Sequence, residues 1–210
     1  MAAKRKSAPA PEPSAVSPAD AALDAALRLA ATRKWSDLTM PDIAAEAGLT
    51  LGEMLRATPS KAALLAAFGR RVDGAMLARP ADADGTVKDK LFDLMMRRFD
   101  ALGPHKAAVK NILADLPRDP GAALCALPGF LRAMRWTAEA AGIKTTGLLA
   151  PLKINALAMA YLITLRVWLQ DDSADAAKTM ASLDKTLDRL SALASSFPGF
   201  PRSRQASESA

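Results

Sequence analysis

The spacing of apolar residues along the chain predicts helices separated by short polar links. Apolar positions recur every three or four residues, which is the period of one helical face, and no run alternates apolar and polar residues as a half-buried strand would. A Ser or Thr followed three residues later by an acidic residue marks four helix starts, at 17–20, 39–42, 50–53 and 86–89. Gly48 ends the second helix, because glycine tolerates the left-handed conformation of a helix terminus. The pattern predicts an all-α fold.

The order of these helices predicts two domains. Three helices and a fourth connecting helix occupy residues 17–78, which a Pro/Asp/Gly-rich link, RPADADGT, separates from a helical domain over 86–197. The terminal segments 1–16 and 198–210 lack periodicity, so we expect them to be disordered.

Within the second domain, apolar periodicity predicts helices near 105–115, 121–141, 147–169 and 173–196. The second and third of these each contain one proline, Pro128 and Pro151, at which a kink is expected.

Composition gives no support for an enzyme. Half of the residues are hydrophobic and only 5% are aromatic, and Cys125 and His105 are the single cysteine and histidine. No internal disulfide or Cys/His metal cluster can form, which fits a reducing cytoplasm. No Gly-rich phosphate loop or nucleophile–base arrangement is found either. We therefore expect no catalytic residue, metal or cofactor, and a cytoplasmic protein without enzymatic activity.

Membrane and charge signals are weak. The N-terminus lacks the apolar core of a secretory signal, and the longest apolar stretch, 154–169, is interrupted by polar residues and shorter than a membrane span needs. The net charge of +6 is compatible with binding to nucleic acid or to an anionic membrane surface. Between residues 20 and 80, however, eight basic residues face seven acidic ones, so this part is barely basic.

The region 20–68 resembles the N-terminal domain of TetR-type transcriptional regulators. The matching segments are ALDAALRLAA, then Trp35 before LTMPDIAAEAGLT, then PSKAALLAAF, and together they cover about a quarter of the chain. The resemblance implies a homodimer that places its third helix in the major groove of double-stranded DNA. It also implies a C-terminal domain that encloses a small-molecule pocket and dimerises through its last two helices.

The side chains that would contact DNA are few. Members of this family usually carry Tyr where this chain has Leu55, and bulkier residues where it has Ala57 and Thr58. Four DNA-binding candidates remain: Thr39, Thr50, Arg56 and Lys61. Arg56 is the only one able to make a bidentate contact with guanine.

The resemblance also suggests where a ligand and a second subunit would bind. Met and aromatic residues of the C-terminal half fit core packing individually and, as a group, a pocket for a small apolar ligand. The pocket candidates are Met95, Met96, Phe99, Phe130, Met134, Trp136 and Tyr161. The last helix repeats apolar residues in alternating steps of three and four, which predicts a seam against another helix. The dimer-interface candidates on it are Met180, Leu183, Leu187 and Leu190.

A second resemblance covers the C-terminal half. The pattern W-T-x₃-A-G-I at 136–143, followed by residues 161–173 and 179–184, is similar to the TetR-fold accessory proteins of ubiquinone biosynthesis. That resemblance implies an alternative function, in which the protein binds an isoprenoid lipid and does not bind DNA. The segment Asp171-Asp172-Ser173 within it is best explained as a helix cap, with Ser173 or Asp172 accepting from backbone amides.

Overall fold

A computed structural model describes residues 17–118 and 120–195, and within these ranges the chain folds into helices without a strand. The all-α prediction is confirmed. The α-helices of the described residues are α1 (Pro18–Thr32), α2 (Met40–Ala47), α3 (Leu51–Ala57), α4 (Lys61–Leu77), α5 (Val87–Leu102), α6 (Lys106–Asp115), α7 (Pro120–Ala140), α8 (Ala150–Trp168) and α9 (Ala177–Ser195). The tails predicted to be disordered, 1–16 and 198–210, lie outside the described residues.

The predicted helix starts are confirmed by their hydrogen bonds. Reciprocal capping boxes form at the starts of α2, α3 and α5, where a threonine accepts from the third backbone amide and the acidic residue there accepts from the threonine amide. At α1 the Ser17 hydroxyl accepts from the Asp20 amide at 3.1 Å. Gly48 has φ 69° and ends α2 in the left-handed conformation, as predicted.

The prolines behave differently from each other. Pro128 lies inside α7. Pro151 lies in the first turn of α8, because that helix begins at Ala150 and not at 147. A proline in the first turn removes no helical hydrogen bond, so the expected kink at Pro151 was wrong.

The first three helices form a small bundle around alanine and leucine side chains. α1 contributes Leu23, Ala26 and Leu27, while Ile43 from α2 and Met54 from α3 complete the packing, all of them buried. This bundle is also attached to the C-terminal half. Asn111 of α6 donates to the carbonyl oxygen of Ala30 in α1 at 2.9 Å.

The long helix α4 connects the two halves. It follows α3 directly and packs against α1 at one side and against α5 and α7 at the other. The predicted link between the halves coincides with the non-helical segment between α4 and α5. The division into two domains at this link stays a prediction.

In the C-terminal half, α9 packs along α8 and also contacts α5. The apolar stripe of α9 provides this contact, with Leu183 and Leu187 only 0% and 1% exposed. The N-terminus of α9 is held by Asp171, which accepts from the Thr179 amide at 2.8 Å and from its hydroxyl at 2.7 Å. Side-chain and backbone hydrogen bonds from Ser173 and Thr179 keep the pKa of Asp171 well below its ordinary value.

Candidate functional site: the helix-turn-helix surface and the C-terminal half

α2 and α3 form a helix-turn-helix whose second helix presents a mixed apolar and basic face. The turn consists of Gly48, Leu49 and the cap of α3. Met54 points inward and is buried, whereas Leu51 and Leu55 are 58% and 67% exposed. Arg56 is also exposed, and no ion pair to it is found among the described residues. The outer face of α3 therefore carries two leucines, one arginine and no aromatic residue.

The two threonines predicted to contact DNA are both exposed, but their hydroxyls already have local partners. The Thr39 hydroxyl donates to Asp42 at 2.7 Å, and the Thr50 hydroxyl donates to Glu53 at 2.7 Å. The Thr50 hydroxyl and amide hold the pKa of Glu53 below its ordinary value, so this carboxylate stays charged and fixed to its own helix start.

Lys61, at the start of α4, lies over the loop between α1 and α2. Its ammonium group donates to the carbonyl oxygens of Leu38, at 2.9 Å, and of Trp35. It also lies 5.0 Å from the centroid of the Trp35 ring, a cation–π distance. The structure thus places this predicted DNA contact in a structural role, and its contact with DNA stays a prediction.

The other cations near the helix-turn-helix are mostly neutralised. Arg28 pairs with Glu46 at 2.9 Å, and Arg33 lies 3.6 Å from Asp42. Arg56 is therefore the cation on this surface that is best placed to meet an external anion.

The structure brings three of the predicted pocket residues into one aromatic cluster. The rings of Phe99 and Tyr161 are stacked with centroids 5.3 Å apart, and Phe130 lies 5.7 Å from Tyr161. Met95 and Met134 are buried, whereas Met96 and Phe130 are partly buried. These side chains pack together as a core. Their role in holding a ligand stays a prediction.

Sequence reasoning missed a buried ion pair beside this cluster. Arg98 of α5, 6% exposed, donates to Asp73 of α4, and its guanidinium lies 5.4 Å from the Tyr161 ring centroid. Burial raises the pKa of the Tyr161 hydroxyl, and the positive charge of Arg98 opposes that rise. The signal was present in the sequence, because Arg98 falls on the apolar stripe of α5 between Leu94 and Leu102.

Trp136 is separate from the aromatic cluster. It is 52% exposed and lies on the outer side of α7, where α4 and α7 border an open cleft of about 350 Å³. We call this the α4–α7 cleft, and its lining residues are Arg70, Asp73, Gly74, Leu77, Arg132 and Trp136. Of the seven predicted pocket residues, only Trp136 lines it.

The predicted dimer seam is largely an internal contact. Leu183 and Leu187 are buried inside their own chain, so they cannot form a surface for a second subunit, and this part of the prediction was wrong. Met180 and Leu190 are partly exposed. An amphipathic stripe shows that a helix buries one face, but the partner here is the chain's own α8.

Exposed apolar residues of the C-terminal half lie on α8 and also on α7 and α9, where Leu124, Leu127, Trp136 and Leu193 are exposed. The outward side chains of α8 are Leu152, Met159, Leu162 and Ile163. In the described part of the chain, α8 alone is long and apolar enough to cross a membrane by length and composition, with 44% of that stretch buried within the fold. Asn155 and Arg166 of α8 are exposed as well, and exposed apolar patches rimmed by polar residues mark surfaces that meet other molecules.

Among the described residues, no group of three or more His, Cys, Asp or Glu side chains is arranged to hold a metal ion. The ring of His105 instead lies edge-on against Phe68, with centroids 5.5 Å apart.

Comparison with known proteins assigns the class. Residues 22–68 match the family described as bacterial regulatory proteins, tetR family. No curated protein matches the chain. The fold is similar to the TetR transcriptional regulator of Nitrosomonas europaea ATCC 19718, with TM-score 0.68 and 26% identity over 82% of this chain and 97% of that one. It is also similar to a TetR regulator of Rhodococcus sp. RHA1, with TM-score 0.59 and 19% identity over 83% and 95% of the two chains.

The helix-turn-helix and the all-helical C-terminal half together have the architecture of TetR-type DNA-binding regulators. Residues 22–68 belong to the tetR family of bacterial regulatory proteins, and the chain as a whole has the fold of TetR-family transcriptional regulators.

Proposed function

We propose that the protein is a cytoplasmic transcriptional repressor that binds double-stranded DNA as a homodimer and responds to a small apolar ligand. The single observation that carries the DNA-binding part is the outer face of α3, where Arg56 has no ion-pair partner among the described residues and lies beside exposed leucines. TetR-type regulators are generally not enzymes, and we propose no catalytic activity for this one.

On this proposal, α3 enters the major groove and reads a short site. Arg56 donates hydrogen bonds from two of its guanidinium N–H groups to the O6 and N7 atoms of guanine. Leu51 and Leu55 lie on the same exposed side of α3, one helical turn apart, and meet thymine methyl groups. A phosphate oxygen only accepts hydrogen bonds, so Thr39 and Thr50 must redirect their hydroxyls from Asp42 and Glu53 to contact the backbone.

For the homodimer we propose the outward side of α8 as the interface. Met159, Leu162 and Ile163 would be removed from water there, which supplies the driving force for association. A two-fold dimer presents its two recognition helices to successive major grooves about 34–36 Å apart, and so selects a near-palindromic site.

The experiment is a selection from random DNA duplexes at low salt, run in parallel on the wild type, on Arg56→Ala and on Arg189→Ala. Arg189 is an exposed arginine of α9, so the last variant removes the same charge outside the helix-turn-helix. Wild type and Arg189→Ala should enrich the same near-palindrome, whereas Arg56→Ala should lose discrimination at one base position, by about 1–3 kcal/mol. If the wild type enriches no palindrome and binds like Arg56→Ala, the regulator proposal fails.

A second candidate function is a lipid-binding accessory role without DNA binding. One observation favours it, namely the exposed leucine, isoleucine and methionine side chains of α8, which a lipid would cover as well as a second subunit. Extraction and mass spectrometry of natively purified protein tests this candidate. An isoprenoid carried in stoichiometric amount would support it, and clean apo protein from a quinone-producing host would count against it.

A further inference from the structure

The α4–α7 cleft carries an uncompensated positive charge. Arg70 of α4 and Arg132 of α7 both line it and are exposed, and neither has an ion pair or a hydrogen bond among the described residues. The acidic residue of the cleft, Asp73, is already paired with the buried Arg98. The Asp73 carboxylate therefore does not neutralise the two arginines at the cleft, and an anion entering from solvent would meet both.

The rest of the cleft is apolar and has room for a flat group. Trp136 offers half of its indole surface, and Leu77 lies on the opposite helix. Gly74 is exposed in the last turn of α4, and a Cβ added there would meet no atom within 4 Å. No side chain projects into the cleft from Gly74, which lines it. The cleft is open to solvent and has a volume of about 350 Å³.

We propose that the α4–α7 cleft binds a small anion with a flat apolar body, of the class of aromatic carboxylates and sulfonates. Arg70 and Arg132 hold the anionic group, and Trp136 packs against the ring. This inference names the chemical class of the ligand in the proposed function, and its role as an effector rests on that function.

α4 gives such a ligand a direct connection to the DNA-binding half. Arg70 of α4 lines the cleft, whereas the next residue, Arg71, faces α1. Arg71 donates to Asp24 and, at 2.9 Å, to Asp20. The start of the same helix holds the α1–α2 loop through Lys61. A displacement of α4 relative to α7 would reach α1 and the α1–α2 loop through these contacts.

The first experiment measures binding without DNA, using two fluorescent probes of nearly the same shape. The anion 8-anilinonaphthalene-1-sulfonate has the sulfonate that N-phenyl-1-naphthylamine lacks. The anionic probe should bind saturably and more tightly than the neutral one. Arg70→Gln and Arg132→Gln should each lower the affinity for the anionic probe by about threefold to fivefold, the size expected for an exposed ion pair. Neither change should alter binding of the neutral probe.

Two controls keep the result specific to this cleft. Arg189→Gln removes the same charge on α9 and should leave both probes unaffected. Gly74→Leu fills the cleft and should abolish binding of both probes, whereas Gly74→Ala should preserve it, with helix content checked by circular dichroism. Equal affinity of the anionic probe for the wild type and both arginine variants, or unchanged binding to Gly74→Leu, would overturn the proposed site.

The second experiment separates the site from its regulatory role. DNA affinity for the selected palindrome is measured with and without saturating anionic probe. A loss of DNA affinity in the wild type that is absent in Arg70→Gln/Arg132→Gln supports the effector role. Unchanged DNA affinity would contradict the effector role but not the binding site. A protein that selects no DNA at all would contradict the proposed function, whereas the probe result would still hold.

Discussion

The ammonium nitrogen of Lys61 lies 2.9 Å from the carbonyl oxygen of Leu38, so the first residue of α4 holds the loop that precedes α2. The same ammonium also donates to the carbonyl of Trp35 and lies over its ring. A cation in this position compensates carbonyl groups that no helix satisfies. A residue that sequence reasoning assigned to DNA thus fastens the helix-turn-helix to α4.

Replacing Lys61 by Met should lower the stability of the fold. The aliphatic stem is kept while the hydrogen bonds of the ammonium are lost, and hydrogen bonds to charged groups contribute about 1.5–3 kcal/mol. Urea unfolding should show this loss, and Lys178→Met, an exposed lysine of α9, should show almost none. An unchanged free energy of unfolding together with uniformly weaker DNA binding would instead assign Lys61 to the phosphate backbone.

Substitution of a leucine on α9 should lower the stability of the chain, whereas substitution of a leucine on α8 should disrupt the dimer. Leu187→Ala should destabilise the chain by about 2–5 kcal/mol, because its side chain is 1% exposed and leaves a cavity. Leu162→Glu should keep the helix content and yield monomers in sedimentation, because this residue of α8 faces solvent in the single chain. A dimer that persists in Leu162→Glu would place the interface elsewhere.

The buried pair of Arg98 and Asp73 should be costly to break at one partner only. Arg98→Met leaves the Asp73 carboxylate, whose side chain is 16% exposed, without its counter-charge and should cost about 3–5 kcal/mol. The double variant Arg98→Met/Asp73→Leu should recover most of that loss, because no unpaired charge remains. A double-mutant cycle of unfolding free energies tests this, and simple additivity of the two losses would contradict the pairing.

Acid should weaken the cap of α9 through Asp171. Its folded-state pKa is depressed, so the stability it contributes is fully present above the unfolded value of about 3.9 and is lost as the pH falls below it toward the folded pKa. Asp171→Asn should lower stability at pH 7 and show a shallower decline between pH 5 and pH 2.

The matched control is the neighbouring Asp172, whose side chain is 96% exposed. Asp172→Asn should retain the acid decline of the wild type. If both variants show the same decline, Asp171 does not carry the effect.

The sequence by itself determined where the helices with a local capping box begin. The Thr39–Asp42, Thr50–Glu53 and Thr86–Asp89 boxes were predicted and all form, because a capping box depends only on residues three apart. The cap of α9 shows the limit of such reasoning. Ser173 accepts from the Ala177 amide at 3.1 Å, as predicted, and Asp172 makes no such bond. Asp171 adds a second cap from eight residues before Thr179, a separation that no local pattern specifies.

Only the tertiary structure decided which partner each apolar face meets. The stripe of Leu183 and Leu187 was visible in the sequence, but its period is the same whether the facing helix belongs to the same chain or to another one. The short connection of α8 to α9 brings the two helices together within the chain and leaves the opposite side of α8 exposed. Arg70, Asp73 and Arg132 likewise meet at one cleft because α4 packs on α7. Local periodicity does not predict a contact between residues about 60 positions apart, because such a contact depends on how whole helices pack.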